Sequence, residues 1–408
     1  MATDSQGAPG SDARRARFAV VALFLVNGFT YTNVVPWLPT IKNDLGLTNT
    51  ALGTAVAALP FGALLTGMLA GPLIARFGSG RVAVGSGVFS ACLLPLVAIA
   101  PQWWILAAVL FGIGCADAWM DSAMNAHALR VQRRYGRTII NTFHAVWSVA
   151  AVCGGLTGSA MAGIGVPMPV HFAGAALLLI ALALTASRFL LTGPEHTERA
   201  DGAHAPEPGE VLRLSPRTIG LLLALSVLLM TAGAIEDSAA SWGAVFMRDE
   251  LAAPLFLAGL PFVACQAMMT VGRLTGDRLT DRFGAVATAR VGALLAAAGL
   301  AGALVLPHPG TAIVGFGLMG LGVATLFPLA LAAAGEIPGV RSGDGVTIAA
   351  WLGRVGFLAF PPLIGVIADA ASLGVGLWAV PVAGMVAAVL AAALRASSPT
   401  RERPVPGR

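Results

Sequence analysis

Long apolar runs dominate the chain, and they constrain its fold more than any other feature. A helix needs about 20 residues to cross the hydrocarbon core of a bilayer. Inside that core every backbone N–H and C=O must be satisfied within the protein, which leaves only helices and closed barrels. Apolar runs separated by charged or Gly/Pro-rich breaks recur at about 18–39, 51–74, 82–100, 103–129, 138–162, 170–190, 218–247, 255–279, 286–306, 311–334, 344–368 and 374–394. The sequence therefore predicts an all-α membrane protein with 12 transmembrane helices. Composition agrees, with 57% hydrophobic and 11% charged residues, against about 45–50% and about 25% in soluble domains.

Charge distribution predicts topology. Of the 25 Lys and Arg residues, all but Lys42, Arg248 and Arg354 fall on one side when the N-terminus is placed in the cytoplasm, so both termini are expected there. This count places Arg273 with the basic loop residues after the eighth run. The positive net charge is a loop property and implies no nucleic-acid partner. Residues 18–39 are too long for a signal-peptide core, so an uncleaved first helix is expected. The polar stretch 192–217 (TGPEHTERADGAHAPEPGEVLRLSPR) reads as a linker. It divides the chain into a tail (1–17), an N-terminal six-helix bundle (18–191), a C-terminal bundle (218–395) and a second tail (396–408).

Several chemistries are excluded. Lys42 is the only lysine, so no phosphate-binding loop of the Gly-Lys type exists. Cys92, Cys115, Cys153 and Cys265 are isolated, which supports neither disulfides nor a zinc site. No nucleophile–base constellation suggests an enzyme, and no repeated filter residues suggest a channel. Gly315-x-Gly317-xx-Gly320 has dinucleotide-fingerprint spacing but follows no strand, so helix packing is expected there and at Gly67, Gly71, Gly154, Gly158, Gly272 and Gly276.

The halves echo each other. Leu59-Pro60-Phe61 recurs as Leu260-Pro261-Phe262, Gly67-xxx-Gly71 as Gly272-xxx-Gly276, Arg76-Phe77-Gly78 as Arg282-Phe283-Gly284, and Asp44-Leu45 as Glu250-Leu251. Such repeats predict two pseudo-symmetric six-helix bundles around a central cavity. With twelve spans, a central linker and Gly/Arg-rich loops after spans 2 and 8, the chain resembles the major facilitator superfamily. The superfamily's loop motif is matched by Gly71, Arg76, Gly78 and Arg81, with Ala75 where an acid is expected. In the second half Asp281, Arg282 and Gly284 match it, with Gly276 one position out of register and Asp277 standing where the first glycine is expected. The resemblance implies that these residues form gating loops. Asn125–His144 and Glu236-Asp237…Trp242 resemble the sugar/proton-symporter side of the superfamily.

Charges inside membrane spans are costly, at about 2.5–3.5 kcal/mol each at a helix centre, and they mark a wet cavity or one another. Asp117, Asp121, Glu236 and Arg354 lie in such positions. Asp117, Asp121 and Asn125 share one helix face at i, i+4 and i+8. Asp117 is about 21 Å along its span, at a level matching His144 about 9 Å from the other end of the next, and Arg354 is about 15 Å up its own. Glu236 is expected in the outer part of its span, where it could pair as a gate. Carboxyl groups and a histidine in such a site can exchange protons, and Arg354 can bind a hydroxyl-rich or anionic solute. Asn27, Tyr31 and Asn33 add hydrogen bonds or stacking; Trp37, Trp147, Trp242 and Trp351 could stack on a sugar face or anchor in the membrane interface.

The expectation is a proton-coupled secondary transporter of a small, sugar-like or otherwise polar solute. It would work by alternating access as a monomer in the lipid bilayer of the plasma membrane, with no cofactor beyond the proton. A proton-driven exporter of hydrophobic drugs and a non-transporting sensor on the same scaffold are the alternatives.

Overall fold

The computed structural model describes residues 10–136, 138–192, 215–337, 340 and 342–396. Most of the linker and both chain ends lie outside this set. The described residues are helical, with no strand among them. Among the described residues, twelve helical segments are long and apolar enough to span a membrane. In the first half these are span 1 (Ser11–Asp44), span 2 (Asn49–Phe77), span 3 (Ser79–Ile99), span 4 (Trp103–Tyr135), span 5 (Ile140–Gly163) and span 6 (Met168–Ser187). In the second they are span 7 (Pro216–Glu250), span 8 (Leu255–Phe283), span 9 (Ala285–Val305), span 10 (Pro309–Gly335), span 11 (Asp344–Ala370) and span 12 (Leu373–Arg395). Several helices outrun their apolar stretches. Span 1 starts at Ser11 and carries Arg14, Arg15 and Arg17 on its first turns, while span 4 continues through Arg133 and Arg134 to Tyr135.

Local chemistry sets the breaks. Span 1 tightens to a 3-10 turn at Val35–Trp37, where Pro36 lacks an N–H to donate. The hydroxyls of Thr48, Ser215 and Ser372 accept from backbone N–H groups in the first turns of spans 2, 7 and 12, as capping predicts. Gly78 and Gly284 adopt φ of +86° and +82°, a region that suits glycine. Each turns the chain sharply between consecutive spans, and in each case the preceding Arg, Arg76 or Arg282, lies 5.3 Å from the neighbouring Phe ring.

The two halves pack alike. In the first, span 1 packs on 4, 5 and 6, span 2 on 4, and span 3 on 4 and 6; in the second, span 7 packs on 10, 11 and 12, span 8 on 10, and span 9 on 10 and 12. Two glycines make the equivalence atomic. A Cβ on Gly114 of span 4 would fall 1.9 Å from the Leu59 carbonyl oxygen of span 2. One on Gly320 of span 10 would fall 2.1 Å from the Cys265 carbonyl oxygen of span 8. Both residues of the second pair lie 206 positions beyond those of the first.

That register corrects two sequence matches: Gly272-xxx-Gly276 is offset from Gly67-xxx-Gly71 by 205 positions, one residue out of step. Leu260-Pro261-Phe262 is offset from Leu59-Pro60-Phe61 by 201 positions, five residues away from structural equivalence. Pro60 lies inside its helix, Pro261 opens one, Phe61 is exposed and Phe262 is buried. Gly154, Gly158, Gly272 and Gly276 sit at close helix contacts, whereas Gly71 has no neighbour that a Cβ would meet and is not a packing glycine.

Candidate functional site

With an even number of spans, Ser11 at the start of span 1 and Arg395 at the end of span 12 lie on one face of the bundle pair, here the terminal face; the opposite one is the distal face. The bundles meet through span 2 on span 11 and span 5 on span 8, and the close contacts cluster distally. Gly53 packs on the Pro361 carbonyl, Gly365 on that of Asn49, and Gly163 on Phe256. Lys42 and Asp249 pair at 2.5 Å across the distal mouth between spans 1 and 7. On the terminal side of the boundary Asp121, His144 and Arg354 are exposed, although Asp121 and Arg354 lie about 21 and about 15 Å inside the ends of their spans.

A hydrogen-bonded chain crosses three helices of the first bundle. The Asn27 side-chain amide of span 1 donates to the Asp117 carboxylate of span 4 at 2.8 Å. The Trp147 indole N–H of span 5 donates to the Asn27 oxygen at 2.7 Å. One amide thus uses its donor and its acceptor at once, which fixes its orientation. One turn beyond Asp117, the Asp121 carboxylate accepts from the Asn125 amide at 2.9 Å. It lies within electrostatic reach of His144 and of Arg354, the latter on the other bundle. His144 stands edge-on to Phe24 at 5.4 Å.

His144 therefore acts electrostatically on Asp121 rather than sharing the level of Asp117, as expected from sequence. Span 5 begins at Ile140, two residues later than the sequence reading, so His144 is only about 6 Å into its helix. Asp121 is one turn nearer the terminal end of span 4 than Asp117, and so the closer of the two to His144 in depth.

The second bundle brings its own groups. Arg273 of span 8 reaches to 3.9 Å from the Glu236 carboxylate of span 7. Asp237 accepts from the Ser241 hydroxyl at 2.6 Å and lies within electrostatic reach of Tyr31. Asn27 and Tyr31, at i and i+4, share a face of span 1. That face joins the Asp117 chain to Asp237 across the bundle boundary.

Other expected site residues fall elsewhere. Asn33 is buried in the first bundle, 2.9 Å from His171 of span 6. Its bond ties two helices together, so it does not line the cleft. Trp37 stacks on the same histidine at 5.7 Å. Trp242 is 1% exposed, leaving no face free for a solute. Trp351 is exposed. Glu236 is not at the distal mouth: it sits about 21 Å inside the end of span 7, and Lys42–Asp249 occupies the mouth instead. The gating-loop residues Gly71, Arg76, Arg81, Asp277, Asp281, Arg282 and Gly284 are exposed at the terminal face, and Gly78 is half-buried there.

Sequence reasoning missed Arg273 and Asp237. Arg273 was grouped with loop arginines although it falls between Val271-Gly272 and Leu274 inside an apolar run, which is signal enough to place it in the membrane. Asp237 was visible beside Glu236 and was noted only as part of a motif.

The chain matches the family model of the Major Facilitator Superfamily over residues 20–318 and 239–408. The chain belongs to the Major Facilitator Superfamily. An uncharacterized MFS-type transporter of Yersinia pestis is 29% identical over 352 residues, covering 86% of this chain and 88% of that protein. Membrane protein MosC of Rhizobium meliloti is 29% identical over 370 residues, covering 91% and 88%. Among solved structures, a bacterial homolog of the human lysosomal transporter Spinster, in an inward-facing and unoccupied conformation, aligns with a TM-score of 0.74 at 14% identity, covering 95% of this chain and 98% of that one. The outward conformation of the MFS transporter FucP aligns at 0.61 and 15% identity, covering 94% and 98%. This major facilitator protein is a multi-pass membrane transporter and not an enzyme.

Proposed function

We propose that this transporter couples proton movement to the passage of a small polar solute by alternating access in the plasma membrane, working as a monomer with both termini in the cytoplasm. The carrying observation is the Trp147–Asn27–Asp117 chain. It fixes one carboxyl group that has no cationic partner among the described residues, next to the Asp121, His144 and Arg354 cluster that reaches across the bundles. A carboxyl group held by one neutral amide donor can gain or lose its proton as the cleft changes between wet and dry.

Close distal contacts and exposed groups on the terminal side then correspond to an inward-facing state. Four carboxyl groups (Asp117, Asp121, Glu236, Asp237) share the site with two guanidinium groups (Arg273, Arg354). This balance favours a neutral, hydroxyl-rich solute over an anion. The density of polar groups likewise favours a polar solute over a hydrophobic drug.

The test uses protein reconstituted in liposomes that contain a pH-sensitive dye, screened against sugars, polyols and organic acids. A neutral polar solute should drive proton movement in the wild type. Asp117→Asn should abolish that movement while leaving expression and folding intact. Uptake with unaltered pH dependence in Asp117→Asn would remove Asp117 from coupling.

A further inference from the structure

The two seams between the bundles are pseudo-equivalent, yet their distal rims are built from different chemistry. At the seam of spans 5 and 8, Gly163 lies against Phe256: a Cβ on the glycine would fall 2.7 Å from the Phe256 Cβ. The positions 206 residues away, on the seam of spans 2 and 11, are Asp369 and Thr50. There the Asp369 carboxylate accepts from the Asn49 backbone N–H at 2.8 Å and, through its other oxygen, from the Thr50 N–H at 2.8 Å. One rim is apolar packing; the other is a carboxylate fastened to a helix end in the opposite bundle.

The fastening is chemically complete. The first N–H groups of a helix have no partner within the helix. In span 2 the Thr48 hydroxyl takes the Ala51 N–H at 3.1 Å, while Asp369 takes those of Asn49 and Thr50. A carboxylate at this position also meets the positive end of the helix dipole. Beneath it the helices touch backbone to backbone, with Gly53 at 2.5 Å from the Pro361 carbonyl oxygen and Gly365 at 2.6 Å from that of Asn49, each measured to an added Cβ. Distal opening must part this seam and break both hydrogen bonds. Among the described residues, the apolar rim carries no comparable directional contact.

We propose that Asp369 is the latch of the distal gate, a positioning residue that holds spans 2 and 11 together and is released when the cleft opens to the distal side. Release exposes the Asn49 and Thr50 N–H groups to water, so the latch biases the resting protein toward the terminal-open state without locking it there. Asp369 is exposed, which limits its strength to that of an accessible helix cap. Its removal should shift the ratio of distal-open to distal-closed protein by about three- to tenfold.

The experiment reads both ends of the cleft. Ala57 lies one turn below Gly53 on span 2 and is buried with the distal side closed; His144 is exposed on the terminal side. Ala57→Cys and His144→Cys are made separately with the four native cysteines changed to alanine, and their maleimide labelling rates are measured in membranes. Asp369→Ala should raise labelling at position 57 by about three- to tenfold and lower it at position 144. Asp369→Asn, which keeps one acceptor oxygen, should give an intermediate change. Unaltered labelling at position 57 would overturn the latch. A rise at both positions would also overturn it, because that pattern reports general loosening rather than a shift between two states.

Discussion

Gly320→Ala tests the packing that holds spans 8 and 10 together. The added methyl would fall 2.1 Å from the Cys265 carbonyl oxygen and 2.7 Å from its carbon, where ordinary contact begins near 3.4 Å. Both neighbours are backbone atoms of a helix and cannot rotate aside. The two spans must therefore separate by more than 1 Å along their crossing. A gap of about 0.5–1 Å already forfeits a quarter to a half of a van der Waals contact, and overpacking of this kind costs about 1–3 kcal/mol. Gly114→Ala, its counterpart between spans 4 and 2, should cost a similar amount. Because the sites lie in different bundles, the double variant should show the sum. Gly85→Ala is the control, since this span 3 glycine has nothing within 4 Å of an added Cβ; helix propensity alone makes it neutral or stabilising by up to about 1 kcal/mol. Thermal unfolding in detergent, followed by loss of the monodisperse chromatographic peak, should rank the variants Gly85→Ala, wild type, single and double. A Gly320→Ala protein as stable as wild type would refute the argument from close backbone approach.

Asn27→Leu strips partners from both the Asp117 carboxylate and the Trp147 indole N–H. It should lower stability by about 2–4 kcal/mol and abolish coupled transport; unchanged melting and transport would show that the chain of three residues is incidental. For Glu236 and Arg273, a double-mutant cycle with Glu236→Gln and Arg273→Met should return a coupling of about 0.2–1 kcal/mol, the value for a partly exposed pair. A coupling indistinguishable from zero would mean that the arginine serves the cleft rather than the glutamate.

The fold was readable because bilayer physics leaves few options: twelve apolar runs without breaks must be helices, and their spacing placed every span. Helix ends were harder, since polar extensions such as Arg14–Arg17 and Arg130–Tyr135 continue the helix outside the apolar stretch that marks it. The costly residues were also legible, for Asp117, Asp121, Glu236 and Arg354 stand out against apolar flanks. Their partners were not. Asn27 and Asp117 are 90 positions apart, and Trp147 and Asn27 are 120 apart, so only the packing of spans 1, 4 and 5 brings them together. Asn33 shows the limit from the other side. By residue type it equals Asn27 as a candidate, but its rotation about span 1 aims it at His171 inside the bundle. Repeat motifs misled where composition was repetitive, by five positions for Leu-Pro-Phe and by one for Gly-xxx-Gly, and held where a glycine with positive φ fixed the geometry.

The polar contacts divide according to whether they stay within one six-helix unit or join the two. Trp147, Asn27 and Asp117 belong to the same unit, as do Glu236 and Arg273, so a rigid rocking motion carries each set along unchanged. Asp121 with Arg354, Tyr31 with Asp237, Lys42 with Asp249, and Asp369 with the start of span 2 straddle the units, and their separations must change with every stroke. A distance probe on the first group would stay silent through the cycle. One on the second would record it.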